Sequence, residues 1–285
     1  WWDGRARRSP DPERFLDWVG GHLDIVDSVM LQCSIGVQDD GTIGGALEPA
    51  CGPAMEGLRA LGVEVELWLG ESDDVEVQRR LFQRAPEAAA AISALVREYD
   101  LAGVNFDVES SKGVTAADGE AYAAFLGQMR RAAGGARLTV DSAPFSLMMR
   151  NVTALAGATD RVLYMHTYMA PSLRGWLANL DLATAQAPPA GGKLAAGLAG
   201  FKDARTQGWS DTAESAQERL CWLMHLDMPE VAVFRISEND GWPLAHWEEP
   251  LQRFAAGEDC AHPGWKWRPE DFKVHPYTCC PAAPP

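Results

Sequence analysis

The chain has 285 residues, 47% apolar and 23% charged, which excludes a disordered chain and suffices for one large domain or two small ones. Acidic residues outnumber basic ones 40 to 25, and the resulting net charge of −15 repels phosphate backbones and argues against nucleic acid as a partner. No apolar run approaches the roughly 18 residues of a membrane-spanning helix.

In chain order, short apolar runs alternate with helical patterns. Trp1-Trp2-Asp3-Gly4 reads as the C-terminal end of a first strand running into its loop. A chain that opens on Trp instead of Met is expected to be processed or partial, with that strand truncated. Arg14–Leu23 follows as a short helix, then a strand over Asp24–Gln32. Met55–Leu61 is helical, and Val63–Gly70 alternates apolar and polar before stopping at a glycine. Pro86–Tyr99 puts Ile92, Leu95, Val96 and Tyr99 at helical spacing, with Pro86 near the helix start. Leu101–Glu109 is a strand, and Ala117–Ala132 is a helix carrying Tyr122, Phe125, Leu126 and Met129. Strands then fall at Arg137–Ala143, Arg161–Tyr168, Lys193–Ala199 and Val231–Ile236. Before the last of these, Asp211-Thr212-Ala213-Glu214 resembles a capping box and Leu220, Leu223 and Met224 form an apolar stripe.

Strands that alternate with helices imply a parallel sheet with right-handed crossovers. Eight βα units in roughly 250 residues are the size of a (β/α)8 TIM barrel, the α/β fold expected here. The other candidate, a doubly wound open sheet, usually carries G-x-G-x-x-G after its first strand, a pattern this chain lacks. The barrel is expected over 1–257 and a Cys/Pro-rich C-terminal extension over 258–285.

The cysteines are Cys33, Cys51, Cys221, Cys260, Cys279 and Cys280, with no C-x-x-C zinc spacing and no pairing evident from the sequence. A Pro-rich tail with a small core benefits from disulfides. Together with the sequon Asn151-Val152-Thr153, this leads us to expect an extracellular, secretory or vacuolar location.

The segment that carries chemistry is Leu101–Ser110, LAGVNFDVES. Strand alternation sends Gly103, Asn105, Asp107 and Glu109 to one face, the barrel interior, and Val104, Phe106 and Val108 to the helices. Polar residues inside and apolar ones outside reverse what solvation alone would choose. Burying two carboxylates costs several kcal/mol each if they are unpaired, so the arrangement points to a site. The competing reading makes Asp107 and Glu109 loop residues that cap the next helix, and the apolar residues flanking each argue against it. Glu109 is expected at the C-terminal mouth, where barrel active sites lie.

Gly103–Glu109 resembles the D-G-x-D-x-D-x-E signature of glycoside hydrolase family 18, the chitinases and endo-β-N-acetylglucosaminidases. The resemblance implies a (β/α)8 barrel with this motif on the fourth strand. It implies that Glu109 is the general acid and that Asp107 holds the substrate's N-acetyl group. Asn105 stands where the family usually has Asp, and Ala102 where it has the first Asp. Asn105 is expected to hydrogen-bond Asp107 and to bind substrate. His166-Thr167-Tyr168-Met169 looks like the family's M-x-Y-D on the sixth strand, with Met169 in place of Asp. Tyr168 is thereby implied as the catalytic tyrosine that meets the acetamido group. Trp242, just after the eighth strand, is the candidate floor of the −1 subsite, with Phe234 as the other possibility. Met165 and Trp2 complete the expected substrate-binding set.

The residues themselves favour the same chemistry. Ordinary retaining glycosidases pair two carboxylates across the scissile bond, yet the other strand ends offer only Asp141 and Glu238. A lone acid with an Asp two residues earlier suits a reaction in which the substrate's acetamide is the nucleophile. The expected activity is hydrolysis of β-1,4-linked N-acetylglucosamine in an oligosaccharide or polysaccharide. A catalytically silent glycan-binding lectin is the alternative. A metal-dependent hydrolase is a third reading, but His22, His166, His225, His246, His262 and His275 form no H-x-H or H-E-x-x-H cluster. No metal or cofactor is expected. Of the 11 tryptophans, Trp68, Trp176, Trp209 and Trp247 are further candidates for lining a glycan groove.

Overall fold

The computed structural model describes residues 2–3, 11–70, 73–143, 145–165, 173–187, 192–199, 213–234 and 247–258. Eight strands form one sheet and follow chain order. They are β1 (Trp2–Asp3), β2 (Ser28–Gln32), β5 (Glu64–Leu69), β6 (Gly103–Phe106), β7 (Arg137–Ser142), β8 (Arg161–Tyr164), β9 (Leu194–Ala199) and β10 (Glu230–Phe234). Every described pairing between them is parallel. A helix follows each strand: α1 (Pro12–Gly20), α2 (Cys51–Ala60), α4 (Ala85–Tyr99), α5 (Ala116–Ala132), α6 (Val152–Ala158), α7 (Leu173–Gln186), α8 (Ala213–His225) and α9 (Glu248–Ala255). This is the (β/α)8 TIM-barrel fold expected from the alternation of elements. Two insertions interrupt the repeat: a hairpin of β3 (Gly36–Val37) and β4 (Ile43–Gly44) after β2, and α3 (Val75–Gln83) after β5.

The outer faces of the strands bind the helices through apolar contact. Val104 and Phe106 of β6 are both fully buried. Phe106 meets Phe125 of α5 edge-on at 5.5 Å, and Phe125 in turn packs on Phe82 of α3 at 5.3 Å. Burying a side chain of this size contributes about 2–3 kcal/mol, so the outward parity of β6 is strongly held. Helix α5 starts at a capping box between Thr115 and Asp118, and Arg79 of α3 clamps the same Asp118 carboxylate at 2.8 Å.

The inner faces carry charge. Glu66 of β5 has no solvent exposure, and it accepts from Arg137 at 2.8 Å, Arg161 at 3.1 Å and Thr139 at 2.9 Å. Arg161 also holds Glu230 at 2.7 Å, and Arg137 holds Glu64 at 2.7 Å. This network sits at the N-terminal end of the strands, where barrel residues serve stability. Glycine is required at position 103, because a Cβ there would come within 2.9 Å of the Glu66 side chain.

Strand locations agree with the sequence reading, but several ends do not. The ladder of β6 stops at Phe106 instead of Glu109, so Asp107 and Glu109 stand just past the strand. Strand β8 stops at Tyr164. The hairpin and α3 had no pattern strong enough to predict them: the hairpin strands have two residues each, and α3 mixes charges with β-branched residues. The Asp211-Thr212 pair and nearly all of the expected extension lie outside the described residues.

One disulfide joins Cys33, just after β2, to Cys51 at the start of α2, across a separation of 18 residues. It staples the loop that carries the hairpin, and Val37 donates to the Gly70 carbonyl at 3.0 Å, anchoring that loop to the end of β5. Cys221 is buried and free, and the other cysteines lie outside the described residues. Replacing both Cys33 and Cys51 by Ala is expected to lower unfolding stability by about 3 kcal/mol, the loop-closure entropy of a ring this size. Urea unfolding of the two proteins without reductant measures it.

Candidate active site

The site lies where the inner faces of β5, β6 and β7 reach the C-terminal mouth. Side chains paired across parallel strands point the same way. Trp68, Asn105 and Thr139 are register partners and share the interior, and Asp141 lies one interior position above Thr139. Asn105 and Asp141 are both fully buried, and the Asn105 amide donates to Asp141 Oδ1 at 3.1 Å. Neither Asn105 Oδ1 nor Asp141 Oδ2 has a hydrogen-bond partner among the described residues. The expected Asn105–Asp107 contact is therefore corrected: the amide turns sideways to the next strand instead of upward along its own. In that position it donates to one oxygen of a carboxyl that pairs with no cation among the described residues.

Asp107 is half-buried and accepts from the indole N–H of Trp68 at 3.1 Å. Gly70 makes this possible, because a Cβ there would overlap the Trp68 ring. The Asp107 N–H still donates to the Leu69 carbonyl at 3.3 Å, a last rung beyond the ladder. Glu109 is half-buried between two fully buried residues, Val108 and Ser110. Ser110 is tied on both sides: its hydroxyl donates to the Asp73 carbonyl at 2.9 Å, and its own carbonyl accepts from Ser146. The backbone of the acidic residue is thus pinned although it stands in a loop. The cap of α5 is made by Thr115 and Asp118, so neither Asp107 nor Glu109 serves as that cap.

The electrostatics of the site centre on Asp141. Burial pushes its carboxyl well above the ordinary carboxylate range. The Asn105 amide opposes that rise, and the negative charges of Glu109 and Glu66 add to it. In the sequence Asp141 stands out only as a possible second acid at a strand end, while Asp107 and Glu109 are the carboxylates expected inside the barrel. The parity of Asp141 on β7 was the available signal.

Of the other expected residues, Met165 is buried directly after β8. Trp2 is in strand register with Leu31, and its side chain lies outside the described residues, as do Tyr168, Trp242, Trp209 and the Phe234 side chain. Trp176 and Trp247 are core residues at 0% and 1% exposure, which corrects their expected place in a groove. Both belong to the hydrophobic core, as the high average burial of tryptophan favours. Among the described residues no cluster of His, Cys, Asp and Glu suits a metal ion, and no helix is long and apolar enough to cross a membrane.

Sequence comparison finds no matching family model and no matching curated protein. Solved structures do match. The spore cortex-lytic enzyme SleL of Bacillus megaterium QM B1551 has a TM-score of 0.69 at 15% identity, over 90% of this chain and 72% of its own. A class V chitinase from Pseudomonas fluorescens Pf-5 has a TM-score of 0.69 at 16% identity, over 83% of this chain and 94% of its own. The chitinase RmChi1 of Rhizomucor miehei has a TM-score of 0.62 at 17% identity, over 81% and 94%. The resemblance carried by the fourth-strand motif therefore extends to the fold, which is that of glycoside hydrolase family 18 enzymes.

The buried carboxyl gives a sign that can be checked. An acid whose folded pKa is raised destabilises the fold only above its unfolded pKa, which is 3.8 for an ordinary Asp. Asp141→Asn is expected to raise Tm by a few degrees near neutral pH, by a margin that shrinks to nothing below about pH 4. Thermal unfolding of both proteins across pH measures that margin.

Proposed function

We propose that this protein is a glycoside hydrolase that cleaves β-1,4-linked N-acetylglucosamine in chitin or related glycans, with retention and with help from the substrate's own acetamide. The observation that carries this reading is the Asp107–Glu109 pair, pinned at the C-terminal mouth of the barrel with the Trp68 indole on Asp107. The chitinases and the cortex-lytic enzyme that share the fold support the same class of substrate.

In this scheme Glu109 protonates the leaving glycosidic oxygen. The acetamide carbonyl oxygen attacks C1 and the C1–O bond breaks, giving an oxazolinium ion and a free alcohol. Asp107 accepts from the acetamide N–H and stabilises the positive charge. The Trp68 N–H fixes the rotamer of Asp107 and so aims its carboxylate. Glu109, now ionised, takes a proton from water as that water attacks C1. The ring opens, and the acid is reprotonated for the next cycle. Tyr168 belongs to the proposal as the hydroxyl that meets the acetamide oxygen, and Trp242, Met165 and Trp2 as sugar contacts. The Cys33–Cys51 bridge supports an extracytoplasmic location, where disulfides persist.

Turnover of a fluorogenic chitobioside tests the reading. Glu109→Gln is expected to lower kcat by about a hundredfold or more, the usual worth of a general acid. A thiazoline analogue of the oxazolinium ion is expected to inhibit competitively. Chitooligosaccharide binding with no turnover by the parent protein would instead identify a lectin. Trp68→Phe keeps an aromatic ring, smaller than the indole, but loses the N–H. It is expected to lower kcat/KM about tenfold or more, the worth of a hydrogen bond to a charged group, with Tm little changed.

A further inference from the structure

We propose that Phe145 is a sugar-stacking platform on the rim of the barrel mouth, a subsite for a glycan ring remote from the bond that Glu109 cleaves. The inference rests on the proposed hydrolase reading and deepens it, because it makes the preferred substrate a chain of several sugars.

Among the described residues three large apolar side chains stand exposed: Leu23, Phe145 and Leu182. Leu23 precedes β2, at the N-terminal end of the strands, and Leu182 lies on α7. Phe145 is the aromatic one of the three. It lies three residues past the C-terminal end of β7, on the face of the barrel where Asp107 and Glu109 stand.

The backbone that carries Phe145 is fixed. Ser146, the next residue, is buried, and its hydroxyl donates to the Ser110 carbonyl while accepting from the Met148 N–H at 3.2 Å. The Ser146 carbonyl accepts from Met149 at 3.2 Å and from Arg150 at 3.0 Å. Ser142 closes the loop from its other side, donating to the Met149 carbonyl at 2.7 Å. The turn also packs on the start of α5, where a Cβ on Gly119 would come within 2.9 Å of the Leu147 carbonyl. Met148 and Met149 from the same turn are fully buried, yet Phe145 stays 42% exposed. A ring left in water on so firmly held a loop forgoes burial in the free protein. It also loses little further freedom when a ligand covers it.

The bond between Ser146 and Ser110 sets where Phe145 lies. It joins the residue after Phe145 to the residue after Glu109, so covalent geometry keeps the two α-carbons within about 15 Å of each other. A short oligosaccharide seated on Glu109 spans that interval. The chemistry of the side chain suits a sugar. The face of a phenyl ring is flat, apolar and negative in its quadrupole, and the C–H face of a pyranose is flat and weakly positive. Phe145 has no hydroxyl or N–H, so covering it strands no polar group of its side chain.

The experiment measures kcat/KM for chitotriose and chitohexaose in the parent protein and in Phe145→Ala, Phe145→Leu and Phe145→Trp. The parent is expected to prefer the longer substrate. Phe145→Ala is expected to lower the ratio of the chitohexaose value to the chitotriose value about fivefold, the size of one lost aromatic contact. Phe145→Leu keeps apolar volume without a flat face and is expected to lower the ratio as well, whereas Phe145→Trp is expected to hold it. A structural role for Phe145 would lower both values equally, together with Tm, and that result overturns the proposal. So does a parent-like ratio in Phe145→Ala. If Phe145→Ala fails to fold, Phe145→Leu carries the same test.

Calorimetric binding of the same two sugars separates this inference from the hydrolase reading. It compares Glu109→Gln with Glu109→Gln/Phe145→Ala, so that turnover does not intervene. Weaker chitohexaose binding in the double variant, with no cleavage of either sugar by the parent, would sink the hydrolysis and keep the subsite. Cleavage of both sugars with one and the same ratio in the parent and in Phe145→Ala would sink the subsite and keep the hydrolysis.

Discussion

Taking charged side chains out of water is the constraint around which this barrel is organised. Each buried ion costs several kcal/mol unless neighbours replace its hydration, and among the described residues this lumen holds two fully buried carboxyls, those of Glu66 and Asp141. They are handled in opposite ways. At the N-terminal end, Glu66 receives two guanidinium groups and a hydroxyl, and the result is a closed network. One interior position along β7 from Thr139 toward the mouth, Asp141 receives only the Asn105 amide among the described residues. The lumen thus passes from fully compensated charge at its base to under-compensated charge below its mouth. Natural proteins accept such a local violation where chemistry gains from it.

The rest of the architecture serves that gradient. Outward burial of Val104 and Phe106 against α5 fixes the parity of β6, and parity obliges Gly103 and Asn105 to face inward. Beyond Phe106 the strand ladder no longer positions the chain. Side-chain anchors take over: Val108 packs in the core, Ser110 ties to Asp73 and Ser146, and the Trp68 indole meets Asp107. A loop held at this many points can present an acid with little loss of precision, which is what a positioned general acid requires. The disulfide and its hairpin play a comparable role on the neighbouring β2 loop, joined to β5 through the Gly70 carbonyl.

Structural similarity without detectable sequence similarity fits this picture. Identities of 15–17% accompany TM-scores of 0.62–0.69 across most of the chain. The outward face demands only apolar volume of about the right shape, which many sequences supply. The inward face at the mouth is more exacting, and there this chain keeps an Asp and a Glu two residues apart while carrying Asn at the position two residues before that Asp. The consequence of that Asn lies on the adjacent strand, in the carboxyl it holds.

Much of the fold was legible in the residues. Seven of the sheet strands could be placed from short apolar runs, and the inward parity of Asn105 followed from the apolar residues flanking it. Periodicity states which side of a strand a residue occupies, and in a barrel that is enough to separate lumen from helix layer. It does not state which residue of another strand stands opposite. Asn105 and Asp141 are 36 residues apart in sequence, and Trp68 and Asp107 are 39 apart. Their meetings depend on the register between strands, which the packing of the whole sheet and its helices sets. The Cys33–Cys51 pairing and the strand end at Phe106 were hidden for the same reason. Local pattern determined the fold class and the inward-facing acids; only the assembled barrel decided which buried carboxyl would be neutralised by arginine and which would be left with a single amide.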